Sequence, residues 1–531
     1  MNGPDIVSPV ALRHTQQVTC APRWYVQNTE YPPAIATYQP LINGEETFKA
    51  VHSAIAQATK TVDIICWGFQ PSMYFVRNGI APSIGELLKN KAREGVKVRV
   101  LVWEMPLNSA GFAGEANLPG KSTRMRHALR WTASHHQKSV LVDYELPDRA
   151  VGFVMGHNML DAYWDTDKHS ALNRSEGSKP APNRGPRGAT PRQDISSQVS
   201  GPILEHLHHN FASAWLKETG EDLLDLRQAK QIGPQLQCSP GVTRQMAQVL
   251  RTQAQAGKRD IEQVYLNAVN NATQFIYIEN QYFRWPPLAE AIKKAASDQT
   301  GGGRDPGVHG ALHLFVITNA TDDGIGAGTV NTQRMLESLG RADTIANVTK
   351  LRRLEQVKGA APPRPTPDPR DHVGQRELAK WQAELDQKIK EIEDSTIIAQ
   401  EVPGLKVHIC SLVAPDSPAG KPWVPVYIHS KLMIVDDVFT TLGSANINTR
   451  SMQVDSELNI AHEWMSVTQA LRRRLWDLHT DGRGAQDDPK DAFEAWTDII
   501  TENKKRQSKK ITPSVPLIEF YYGNATLKDL D

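Results

Sequence analysis

The stretch His136-Gln-Lys-Ser-Val-Leu-Val-Asp143 returns late in the chain as His429-Ser-Lys-Leu-Met-Ile-Val-Asp436. Each copy has a histidine, a lysine two residues on and an aspartate at the end of an apolar run with the character of a strand. Successive strand side chains point to opposite faces, so each histidine shares a face with its lysine. Asp143 and Asp436, at odd spacing, face away and read as structural carboxylates. A second strand follows each copy: AVGFVMGHN brings Gly156 and Asn158, and TTLGSANIN brings Ser444 and Asn446. Each half therefore offers an imidazole, an ammonium and a carboxamide to one spot.

One such pattern can arise by chance and a lone strand histidine is usually structural, but two copies with matching strand ends point to a shared site. That set suits a phosphodiester. Lysines and amides hold the phosphoryl oxygens, while in-line displacement needs a nucleophile on one side and a proton donor on the other. The two rings must then differ in protonation at working pH, the nucleophile neutral and the acid charged. The scheme needs no metal or other cofactor, and no carboxylate-rich or Cys/His cluster with metal-ligand spacing is visible.

The elements around the motifs repeat as well. INGEETFKAVHSAIAQA and SIGELLKNKAREG read as helices, and KTVDIICWGF and VKVRVLVWEM as buried strands. In the second half RDIEQVYLNAVNNA and PLAEAIKKAASD match the helices, and TQFIYIENQYF, ALHLFVITNA and GLKVHICSLV the strands. This order predicts an α/β fold: two similar α/β sandwich halves with mixed β-sheets, packed as a pseudo-dimer with the active site at their interface. The halves are expected over 1–235 and 236–531. Two segments break the regularity: a Pro-, Gly- and Arg-rich loop over 166–194, and an insertion near 320–400 holding the Pro-rich APPRPTPDPRDH and the polar helix RELAKWQAELDQKIKEIED. Both are read as lids or membrane-contacting edges as readily as inert insertions.

The repeated motifs resemble those of the phospholipase D superfamily, in which two such motifs on similar halves form one site. GSANINTRSMQVDSELNI over 443–460 is similar to the family's G-S-x-N-x-x-x-R-S stretch, and IYIENQYF over 276–283 to a stretch of phosphatidylcholine-cleaving members. The resemblance implies that His136 is the nucleophile, forming a phosphohistidine, and His429 the acid that protonates the departing alcohol and later activates water. It also implies carboxylates that orient the rings: Glu457 for the second half, and for the first half Asp194, with Asp161, Asp165 and Asp167 left as alternatives. Ser444 has no twin in the first half, where Gly156 and His157 stand instead, and His135 reads as structural. Of the twelve tryptophans, Trp67 and Trp103 read as core. Trp164, Trp285 and Trp423 lie nearer the motifs and are taken as lining a lipid entrance.

The balance of 60 basic against 59 acidic residues, a net charge of +1, shows no bulk attraction to nucleic acid. Cys66 and Cys410 sit in apolar runs, and a bridge between Cys20 and Cys238 stays open. No secretory signal and no run of roughly 18 apolar residues is seen. The expected protein is a monomeric phospholipase D acting on a phospholipid membrane without nucleic acid. It is cytoplasmic in the producing cell and most similar to bacterial effectors of type VI secretion, which implies an immunity protein and the secretion apparatus as partners. A cardiolipin-synthase-like phosphatidyltransferase, a nuclease of the same superfamily and a silent lipid-binding module are the competing readings.

Overall fold

The computed structural model describes residues 23–103, 135–175 and 183–529. In the first half, strands β1 (Ala34–Ile42), β2 (Thr61–Cys66), β3 (Lys97–Val102), β4 (Ser139–Val142), β5 (Val151–Met155), β6 (Arg192–Gln193) and β7 (Ile195–Ser200) alternate with helices α1 (Asn43–Gln57), α2 (Ile84–Arg93) and α3 (Leu204–Thr219). The second half contains β8 (Gln245–Gln253), β9 (Lys258–Arg259), β10 (Phe275–Asn280), β11 (Leu312–Ile317), β12 (Leu405–Val413), β13 (Pro425–Ile428), β14 (Lys431–Val435), β15 (Phe439–Gly443), β16 (Glu457–His462) and β17 (Leu517–Glu519).

The main sheets run β3-β2-β4-β5-β7-β1 and β12-β11-β10-β14-β15-β16-β8. β2–β3 and β10–β11 are parallel, and the pairs that carry the motifs outward from β2 and β10 are antiparallel in both halves. The fold is therefore mixed α/β, with one strand order used twice. β1 joins the sheets, because residues 37–42 pair with β7 while residues 34–36 pair with β8.

Alternation along the motif strands sorts their side chains into separate cores. Val140 and Val142 pack under α1 and α2 with Phe48, Val51 and Leu88, while Met433 and Val435 join the matching cluster of the second half. Leu141, Leu432 and Ile434 turn the other way into a core shared by both halves, together with Val154, Val199, Leu442 and Leu458. Burying one apolar face of each sheet against the other is what fixes the halves together.

Asp143 and Asp436 close the motif strands in the left-handed region, at φ of 52° and 53°, which Asp tolerates better than most residues. Asp143 accepts from the amides of Thr59, Lys60 and Thr61 at 2.7–3.1 Å, and Asp436 from those of Thr273, Gln274 and Phe275 at 2.7–2.8 Å. Each carboxylate thus pins the start of the neighbouring β2 or β10 and sets its register against the motif.

The longer helices of the 320–400 region are Thr329–Ser338, Ala346–Ala360 and His372–Asp394. The last packs on the second, where Trp381 Nε1 donates to Pro362 O at 2.9 Å. In the 166–194 loop, Arg174 and Arg187 anchor to Asp165 and Asp161, and residues 176–182 lie outside the described segments. Cys66, Cys238 and Cys410 are free thiols, and Cys20 lies outside the described residues. Among the described residues no helix is long and apolar enough to cross a membrane.

Replacing Asp143 by Ala strips the acceptor from three amides at the head of β2. We expect a loss of about 3 kcal/mol, on the scale of buried donors left without partners, read by urea denaturation. A loss below about 1 kcal/mol would contradict its role.

Candidate active site at the seam between the halves

The backbone before each motif strand is stitched to the other half. His136 N donates to Ser456 O at 2.9 Å, and His429 N donates to Gln193 O at 2.8 Å. β13, which leads into His429, pairs in parallel with β6. The residue after each of these carbonyls is an acid, so each ring meets a carboxylate from the opposite half. His136 Nδ1 lies 3.0 Å from both oxygens of Glu457, and His429 Nδ1 lies 2.7 Å from Asp194 Oδ2. The expectation that each acid serves the ring of its own half is therefore corrected: the pairs are crossed. Sequence order could not reveal this, because the crossing is made by tertiary strand pairing.

Burial alone would raise both carboxyls. Instead, facing His136, Lys138 and the Ser444 hydroxyl holds Glu457 below the ordinary range, and His157, His429 and Lys431 hold Asp194 below it. An ionised carboxylate on Nδ1 puts the proton on that nitrogen and leaves Nε2 for chemistry. Burial, and then the lysine charges, push both rings below the ordinary histidine range, His429 furthest.

Ser444 serves the acid. Its hydroxyl donates to Glu457 Oε2 at 2.5 Å, and Ser451 donates to Oε1 at 2.7 Å, so both position the acid rather than offer a free donor. Gly156 is the counterpart of Ser444. A Cβ there would stand 2.4 Å from Asp194 Oδ1, which explains why no serine occupies it. His157 fills in beside Asp194 at 3.9 Å, with Nδ1 2.8 Å from Ser196 Oγ.

Lys138 and Lys431 are fully buried and donate back to the carbonyls of His136 and His429. Burial pushes Lys138 down to about 8 and Lys431 well down. The lysines act on each other and each on the other half's histidine, so four motif side chains share one electrostatic environment. Asn158 and Asn446 are buried, with side-chain oxygens that find no partner among the described residues. Asp143 and Asp436 take no part in the cluster, since the strand starts hold them. Among the described residues no group of three His, Cys, Asp or Glu is arranged to hold a metal ion.

The tryptophans are placed otherwise than expected. Trp164 and Trp423 are buried with Nε1 bound to Phe75 O and Ile511 O, and Trp285 lies in the second-half core. None lines an entrance. Trp67, read as core, is half-buried: it stacks on Trp103 and meets the His136 ring edge-on at 6.1 Å. Asp161, Asp165 and Asp167 are engaged by Arg77 and Arg187, by Arg174, and by Asn43, which leaves Asp194 as the acid on His429.

Sequence reasoning passed over several residues. Tyr163 meets His429 edge-on at 4.7 Å. Gln281, from IYIENQYF, accepts from Lys431 Nζ at 3.2 Å and donates to Tyr427 Oη at 2.9 Å. The neighbouring Glu279 is buried, accepts from Tyr277 Oη at 2.5 Å and Gln193 Nε2 at 3.2 Å, and lies 2.6 Å from His479 Nε2. A signal existed: counted from the capped strand starts, Gln281 occupies the register position of Trp67.

The family model described as Phospholipase D matches residues 54–120, 113–285 and 419–469, together over half of the chain and including both motifs. The chain belongs to the phospholipase D family. Phospholipase D alpha 1 of rice is 26% identical over 549 residues, covering 82% of this chain and 62% of the rice protein. Phospholipase D alpha 4 of Arabidopsis thaliana is 25% identical, covering 85% and 66%. The chain thus spans less than two thirds of the length of these phospholipase D relatives. A crystal structure of phosphatidylserine synthase from Haemophilus influenzae Rd KW20 aligns with a TM-score of 0.39 at 11% identity, covering 91% of this chain and 97% of that one.

Glu457 titrates lower in the folded chain than when unfolded, so the folded state binds fewer protons at this carboxyl. Its stabilising effect is then full above the unfolded value, roughly 4.3, and fades as pH falls through the lower folded value. We expect Glu457→Gln to flatten the acid limb of stability below about pH 5, followed by chemical denaturation. An acid limb as steep as in the parent would refute the ionised pair.

Proposed function

We propose that this protein is a phospholipase D that hydrolyses glycerophospholipid to phosphatidic acid and a head-group alcohol. The observation that carries the reading is the pair of imidazoles, each bound through Nδ1 to a buried acid, set among two buried lysines. His136 Nε2 attacks phosphorus, the bond from phosphorus to the head-group oxygen breaks, and His429 gives that oxygen its proton. His429 then takes a proton from water as the water oxygen attacks phosphorus, breaking the P–N bond and releasing phosphatidic acid. Lys138, Lys431, Asn158 and Asn446 serve as donors to the phosphoryl oxygens.

Both rings sit below their ordinary range, which suits a neutral nucleophile. The acid needs its proton, and an anionic phosphoryl group between the lysines offsets their repulsion and restores it. His429 then carries the charge once substrate is bound. The side chain of His136 keeps 15% of its exposure against 3% for His429, in keeping with the ring that meets an incoming phosphorus.

A membrane phospholipid is the substrate in this reading, and the near-equal basic and acidic content supports lipid over nucleic acid. One chain carries every group the reaction needs. Delivery into a target cell by a secretion system, with an immunity protein and the secretion apparatus as partners, completes the reading.

The test is incubation with defined phospholipids, following phosphatidic acid and the released alcohol. We expect both in equal amounts, no turnover and no acid-labile phosphoenzyme in His136→Ala, and losses of about 2.7–4 kcal/mol in transition-state stabilisation for Lys138→Ala and Lys431→Ala. Full hydrolysis by His136→Ala would overturn the assignment.

A further inference from the structure

On the His429 side the wall of the site contains a cation with no anion among the described residues. Arg192 opens β6, and its guanidinium carbon lies 4.3 Å from the centre of the Tyr163 ring and 4.5 Å from that of Tyr427. Tyr427 is the register partner of Arg192 in the parallel pairing of β6 and β13, so strand geometry builds the stack. The Arg192 amide donates to Asp165 Oδ2 at 2.7 Å, which ties down the backbone. That oxygen already serves Arg174, and no described carboxylate lies within ion-pair distance of the Arg192 guanidinium, whose Nε is buried without a partner among the described residues.

The stack is joined to the reacting groups at both ends. Tyr163 touches the His429 ring, and Tyr427 reaches Lys431 through Gln281. The charge of Arg192 is one of those that Lys431 feels. In the proposed reaction His429 protonates the head-group oxygen, so the head group departs past this wall. We propose that Arg192 recognises a second anionic centre on the head group, such as the carboxylate of a phosphoserine head, and that the site discriminates against choline; this rests on the hydrolase reading above.

Two physical points favour that assignment. A quaternary ammonium is held by aromatic faces, and the faces that Tyr163 and Tyr427 turn to the stack are filled by the guanidinium. A planar guanidinium whose carbon lies within 4.5 Å of two ring centres can still present its edge donors, which suit a carboxylate or phosphate. Desolvated beside Lys431, a further substrate cation is repelled, whereas an anion gives Arg192 the partner it lacks.

The test uses monomeric short-chain phosphatidylserine, phosphatidylcholine and phosphatidylglycerol, so that vesicle charge plays no part. Phosphatidylglycerol matches the net charge of phosphatidylserine without an anionic head group. We expect kcat/KM for phosphatidylserine to exceed that for the other two by about tenfold or more, the scale of one charged hydrogen bond. Arg192→Ala should collapse that ratio and Arg192→Lys should lower it partway. O-phosphoserine should compete better than phosphocholine in the parent, a readout that stands even if Arg192→Ala fails to fold. A preference for phosphatidylcholine, a ratio unchanged in a folded Arg192→Ala variant, or stronger competition by phosphocholine would overturn the proposal. Absence of turnover on all three lipids would defeat the hydrolase reading instead, and direct titration with the two phosphoesters would then still judge Arg192.

Discussion

The Nδ1 atoms of His136 and His429 are bound to carboxylates of the opposite half, Glu457 and Asp194, and that exchange makes site geometry depend on the docking of the two sheets. A half on its own would hold a histidine without its orienting acid and an acid without the ring N–H it binds. Each incomplete set would be a buried charge lacking a partner, which costs several kcal/mol. The apolar core shared by Leu141, Val154, Leu432 and Leu442 therefore does more than stabilise: it keeps each buried acid matched to its imidazole. The strand β1, shared between the sheets, and the backbone bonds from His136 to Ser456 and from His429 to Gln193 hold the same alignment.

The halves match in backbone but differ around the rings, and chemistry with distinct roles for two histidines needs that difference. Glu457 is braced by two serine hydroxyls, whereas Asp194 is braced by the amide of Ile195 and flanked by His157. Trp67 lies against His136, while the equivalent position beside His429 holds Gln281 bound to Lys431. An indole shields its ring from water and a carboxamide orders an ammonium. One side of the site is thus walled by Trp67 and the other by Tyr163, Arg192 and Tyr427.

Much of this was legible in the chain. The repeat of H-x-K-x-x-x-x-D, the strand alternation and the order of helices determine the mixed α/β halves, and the elements fall where periodicity puts them, as with the helix Asn43–Gln57. The odd spacing of Asp143 and Asp436 foretold that they face away from the rings. Three things were out of reach for physical reasons. The crossing of the acids is a tertiary pairing that no local spacing encodes. The position of each indole depends on tertiary packing, so Trp67 and Trp164 exchange their expected surroundings. Arg192 sits in a loop-like run whose importance appears only when β6 is laid beside β13.

The most direct test of the exchange is nitrogen-resolved NMR of the histidine rings in the single variants Glu457→Gln and Asp194→Asn. The account predicts that Glu457→Gln shifts Nδ1 of His136 while His429 keeps its signal, and that Asp194→Asn does the reverse. Each variant perturbing instead the ring of its own half would contradict it.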